Sequence, residues 1–184
     1  MGSPWNREDL DKALEALAES AKDYVRPPSA MCYSMIMPRK KDFLYNCDMC
    51  GRRSVLEVNE YFGDDGPRIR ARYQALADEF AEAGCQAVVV FLCDLCAQEE
   101  YPSKDRDTVH NIVFYIDVPG KGEQTSFPDT EEYNDTAYRV ALAFLRGADT
   151  VQKLAEETGT EMTADEYFGC IREVLGIEPP DRRG

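Results

Sequence analysis

The sequence predicts an α+β fold with a mixed or antiparallel sheet and a helical C-terminal subdomain. Three observations carry that reading. Short runs of β-branched and aromatic residues recur up to residue 118, helical spacing takes over from residue 129, and two Cys-x-x-Cys pairs stand where strands run out.

Taken in order, Asn6 reads as the N-cap of a first helix, with Glu8 and Asp9 in its opening turn. Leu10, Ala13, Leu14, Leu17, Ala21 and Tyr24 recur at helical spacing until Pro27-Pro28 stops the helix. Residues 31–37 read as a short strand ended by Pro38. Phe43-Leu44-Tyr45 and Ser54 to Val58 form the arms of a hairpin around the first cysteine pair. Gly63 to Pro67 is a turn, and a helix runs from Arg68 to Ala83 with Ile69, Tyr73, Leu76 and Phe80 on its buried face and Gly84 closing it.

Ala87 to Leu92 is apolar at every position, which predicts a central strand covered on both faces. Both cysteine pairs are then expected at strand ends, with neither opening a helix. A polar loop follows the second pair, residues 108–118 form another strand, and Gly120 to Pro128 forms a loop. Three helices complete the chain. One runs from Asp129 or Thr130 to Arg146, with Gly147 beyond it, and a second from Asp149 to Gly159. The third is opened by the capping box Thr163-x-x-Glu166 and closed by Gly176. The expected organisation is an N-terminal helix (1–28), a metal-binding α+β core (29–128), a C-terminal helical subdomain packed on it (129–178) and a tail (179–184).

The chemistry lies in Cys47-Asp48-Met49-Cys50 and Cys93-Asp94-Leu95-Cys96. Four thiolates in two such pairs are the full ligand set of a closed tetrahedral zinc site, so Cys47, Cys50, Cys93 and Cys96 are the expected ligands of a structural Zn2+. A position after the second cysteine of such a turn often needs positive φ, which Gly51 supplies and Ala97 does not. The arrangement resembles that of zinc-ribbon proteins, a likeness confined to the two turns and their adjoining strands. Forty-two residues separate Cys50 from Cys93, against about 15–20 in the familiar ribbon, so the site is expected to be embedded in a larger domain. The insertion is tolerable because the cost of closing a loop grows only logarithmically with length. Four thiolates on a divalent ion leave a charge of about −2, and Arg52, Arg53, Lys40 and Lys41 are placed in sequence to offset it. An iron–sulfur cluster is an alternative occupant, and thiol redox chemistry at the Cys-x-x-Cys pairs an alternative use. Cys32, Cys85 and Cys170 read as small buried hydrophobes, Cys85 being the one that could substitute as a ligand.

Composition bounds the remaining possibilities. Of 184 residues, 43% are hydrophobic, which supports a core that does not depend on a metal alone. The formal charge of −14 opposes general binding to nucleic acid and docking on anionic membranes. Residues 38–72 are the exception: eight Lys or Arg against six acids leave +2 there and −16 elsewhere. Seven cysteines, an odd number, and no signal-like N-terminus point to a reducing, cytoplasmic compartment.

Enzyme signatures are absent. The single histidine, His110, excludes His-rich zinc catalysis and follows the cysteine pairs, where a zinc deaminase would have it upstream. Gly120-Lys121-Gly122 reads as a turn, and Glu99-Glu100, Asp64-Asp65 and Glu131-Glu132 as solvated acids. The sequence thus leans to a non-enzymatic, zinc-stabilised interaction or adaptor protein with a protein partner. A nucleic-acid-associated regulator using the 38–72 region and a thiol redox protein are the alternatives.

Overall fold

Leu10, Leu14 and Leu17 fall on one stripe of α1 (Arg7–Ser20), and all three are buried. The structure, a computed structural model, describes residues 6–24, 40–59, 66–102, 109–128 and 132–178. Asn6 caps α1, its side-chain oxygen accepting from the Asp9 amide at 3.0 Å. The helix ends at Ser20, before the proline stop. There the Ser20 hydroxyl donates to the Leu17 carbonyl (2.8 Å) and accepts from the Val151 amide (3.1 Å), tying the end of α1 to a distant helix. The strand expected at 31–37 lies outside the described residues.

A hairpin comes next: β1 (Lys40–Asn46) pairs antiparallel with β2 (Arg53–Asn59), as expected, with Leu44 opposite Val55 and Phe43 opposite Leu56. Alternation sends Phe43 and Tyr45 inward and leaves Leu44 and Val55 exposed. After α2 (Gly66–Glu82), β3 (Gln86–Phe91), β4 (Ile112–Val118) and β5 (Gly122–Ser126) form an antiparallel meander in that order. The central strand is therefore β4, not the Ala87–Leu92 run. β3 lies at the edge and leaves Val88 57% exposed, because only its Ala87, Val89 and Phe91 face meets the main core.

Two further differences have local causes. Residues 122–126 pair with β4 although Gly-Glu-Gln-Thr-Ser has no apolar alternation, since only Ser126 is buried. The expected polar loop after the second pair starts instead as helix, α3 (Asp94–Glu100) running from within the pair to Glu100, while 103–108 lie outside the described residues. The strand expected from residue 108 begins at Ile112.

α4 (Glu132–Leu145), α5 (Val151–Thr158) and α6 (Ala164–Leu175) follow, with Gly147, Gly159 and Gly176 all at positive φ beyond their ends. At Gly176 a Cβ would also run into the Gln124 side chain. α1, the hairpin, α2, one face of the meander and α4 to α6 share a single apolar core. Within it the Tyr138 and Ser126 hydroxyls bond at 2.6 Å, and burial pushes the Tyr138 phenol above its usual range. No buried side-chain polar atom among the described residues lacks a partner. No described helix is long and apolar enough to cross a membrane.

The capping box of α6 forms as read: Thr163 Oγ accepts from the Glu166 amide at 3.3 Å and the Glu166 carboxylate accepts from the Thr163 amide at 2.6 Å. Thr163→Ala is expected to lower the unfolding free energy by about 1 kcal/mol. In a urea titration this is a lower midpoint with an unchanged slope.

Candidate metal centre

The opposite face of the meander carries a second apolar cluster, and the cysteines are in it. Cys47, Cys93 and Cys96 pack with Leu92, Ala97 and Val113, flanked by Val90, Tyr101, Val109, Tyr115 and Phe127. β4 is thus covered on both sides, by the helices on one and by the cysteine turns on the other.

The two turns are built differently. In the first, Cys47 follows β1 directly. Its amide donates to the Arg52 carbonyl (2.9 Å), while its carbonyl accepts from the Gly51 amide (2.8 Å). Gly51 has φ +72° with no atom near its missing Cβ, so glycine is there for backbone freedom. The second pair follows the end of β3, as expected, but it also opens a helix, contrary to the expectation that neither pair would. Cys93 is the N-cap of α3 with extended backbone, and its carbonyl accepts from the Ala97 amide at 2.9 Å. Helical geometry brings Cys96 back beside Cys93 in one turn, so Ala97 needs no positive φ.

The sulfurs of Cys47, Cys50, Cys93 and Cys96 all lie within 4.8 Å of one another. Cys50 and Cys93 are 3.7 Å apart, although 43 positions separate them in sequence. A disulfide would need about 2.05 Å. Four sulfurs on one ion at about 2.3 Å stand about 3.8 Å apart along the tetrahedron's edges. The group could therefore hold a single metal ion. Three of the thiols are buried and Cys50 is exposed. Burial opposes ionisation of Cys47, but the backbone amides of Cys50, Cys93 and Met49 aim at its sulfur and bring it down to about 6. Cys96 is pushed well above the usual thiol range, first by its contact with Cys93, then by burial and by Cys50 and Cys47. The turns thus favour thiolate at one end, while mutual repulsion opposes a full set without a cation to share.

Polar residues that the sequence reading passed over hold the two turns together. Asp48 uses its carboxylate to accept from the Phe91 amide (2.7 Å), and its own amide donates to the Phe91 carbonyl (2.8 Å). The first turn therefore docks on the free edge of β3. Asp94 accepts from the Asn111 side-chain amide at 2.8 Å. Asn111 also donates to the Leu92 carbonyl (3.0 Å), which Tyr45 Oη reaches from the hairpin at 2.6 Å. The only sequence signal for these roles is that an aspartate follows the first cysteine of each pair.

The basic residue that reaches the site is also not one of the expected set. Arg70, from α2, bonds Asp48 at 3.0 and 3.1 Å and lies 4.2 Å over the Phe91 ring. Arg52 and Arg53 are exposed and make no ion pair among the described residues, and the side chains of Lys40 and Lys41 lie outside them. Asp48→Ala is expected to cost about 1–3 kcal/mol by leaving the Phe91 amide without its acceptor. Most of that loss should persist in high salt, since the half-exposed Arg70 pair alone is worth about 0.2–1 kcal/mol.

Cys85 and Cys170 sit in the main core, away from the four, and burial raises both thiols to about 11. Cys85 is thus not placed to substitute as a ligand, and Cys32 lies outside the described residues. His110 stacks on Phe127 with ring centres 4.2 Å apart and is not among the grouped ligands. No family model matches this chain, and neither a curated protein nor a solved structure matches it.

Proposed function

We propose that the four cysteines hold one structural Zn2+ and that the protein is a non-enzymatic interaction or adaptor protein. The observation that carries this reading is a closed set of four sulfurs within 4.8 Å of one another. Such a set fills a tetrahedral ion and leaves no position for a substrate or an activated water. The spacing suits one ion rather than a multi-iron cluster, whose cysteines must surround several metal atoms. Zinc is the redox-inert choice for a purely sulfur, tetrahedral site.

The interaction role is supported by what the turns present outward. Met49 and Leu95, the third residues of the two pairs, are 53% and 57% exposed although both are large and apolar. A metal joining the two turns holds these side chains on a rigid frame, where they can enter a partner's pocket. One observation favours a redox reading: Cys93 caps a helix N-terminus, where thiolates are favoured. Against it, Cys93 is only 3% exposed and faces three other sulfurs.

Elemental analysis with native mass, on protein purified without added zinc, tests the metal. One zinc per chain is expected. A folded, metal-free chain that reduces insulin would transfer the site to redox chemistry, and iron would change its identity. For the interaction role, Met49→Asp with Leu95→Asp should leave fold and zinc intact while abolishing partner capture. Unchanged capture would remove these tips from the interface.

A further inference from the structure

A second site lies away from the cysteines, in a cavity of about 450 Å³ between α2, α4 and the end of α5. Each long helix supplies one stripe at positions i, i+3, i+4 and i+7: Arg72, Ala75, Leu76 and Glu79 from α2, and Arg139, Leu142, Ala143 and Arg146 from α4. The middle of each stripe is apolar and its ends are charged. Glu157 and Thr158 of α5 complete the wall. Three arginines against two glutamates give the cavity a charge of +1 on a chain of −14.

The arginines are not all consumed by the fold. Glu79 pairs with Arg146 at 3.0 Å, so that guanidinium already has a carboxylate partner. Arg139 is exposed and makes no hydrogen bond or ion pair among the described residues. A guanidinium presents a planar fork of N–H donors matched to carboxylate and phosphate oxygens. The volume falls in the range of small-molecule sites, which are mostly apolar with a few placed polar groups. Repulsion from the distant acids is screened beyond about 10 Å at 0.1 M salt, so contacts inside the cavity decide whether an anion stays.

We propose that this cavity binds a small organic acid, an oxyanion head on a flat apolar body. Arg139 engages the head at one end of the α4 stripe, the body lies on Ala75, Leu76, Leu142 and Ala143, and the Glu79–Arg146 pair stands two turns away at the other end. The assignment is independent of the zinc reading, since none of these residues belongs to the cysteine turns.

The test uses the full chain with its metal in place and three fluorescent probes: naphthoate, naphthyl phosphate and neutral naphthol. At least one of the two oxyanions should bind about tenfold or more tightly than naphthol. The arm that binds identifies the head as carboxylate or phosphate, and binding of both supports the shared chemistry. Arg139→Gln should weaken that binding by about tenfold or more, whereas Lys12→Gln on α1 should leave it unchanged. Ala75→Phe, which fills the cavity from an exposed helix position, should abolish it. Equal binding of naphthol, or affinity indifferent to both Arg139→Gln and Ala75→Phe, would overturn the proposal.

Discussion

Cys93→Ser is expected to abolish stoichiometric metal binding and to lower the thermal midpoint by roughly 8–16 °C. A structural zinc site has roughly 10–16 kcal/mol of apparent binding free energy available to it. A loss of ~4 kcal/mol is expected, because the main core does not include the four clustered cysteines and survives. At about 2–4 °C per kcal/mol for a chain of this size, that gives the stated range. Cys93 is the member to change because it is buried, lies 3.7 Å from Cys50 and caps α3 without a side-chain hydrogen bond, and serine is itself a favoured N-cap, so the change removes the sulfur while leaving the helix start intact. Calorimetry with metal analysis reads both effects. Cys170→Ser is the matched control. It perturbs a buried thiol in the main core and should retain the ion. Metal retained at full stoichiometry in Cys93→Ser, with an unmoved midpoint, would exclude Cys93 as a ligand.

Phe91→Ala should be among the most damaging changes outside the cysteines, at about 3–5 kcal/mol. Phe91 is fully buried, and its ring meets Phe43, Tyr45 and Tyr73 at centroid distances of 6.0, 5.9 and 6.3 Å. It therefore joins the hairpin, α2 and the edge of the meander in one contact set. Its backbone is the docking point for Asp48, so loosening the ring loosens the first cysteine turn as well. The change is expected to lower the denaturation midpoint and to speed metal transfer to a competing chelator. A double-mutant cycle with Asp48→Ala should show a coupling of about 0.5–3 kcal/mol, as for residues sharing one network. Strict additivity would mean that core and turn are energetically separate.

Which parts of this were legible in the sequence depends on how far each feature reaches along the chain. Asn6, the Thr163–Glu166 box and the glycines after the last three helices act within one turn, so residue type alone located them. The Cys47–Cys50 turn was legible for the same reason, through Gly51. Val88 was not: an all-apolar run says that a strand is buried somewhere, not which neighbours cover each face. β5 was hidden because its residues are held by ladder bonds to β4 rather than by their own burial. α3 was missed because seven residues are too short for a periodic signal, and its start is occupied by a cysteine rather than a conventional cap. Tyr45, Asn111 and Arg70 support the site from other elements, and no local pattern marks such long-range partners.

The 43-residue separation between Cys50 and Cys93 also sets an order of events at the ribosome. At about 5–20 residues per second, the first dithiol emerges roughly 2–9 s before its counterpart. During that interval the nascent chain offers only half of the cysteine cluster, together with a hairpin whose docking edge has not yet emerged.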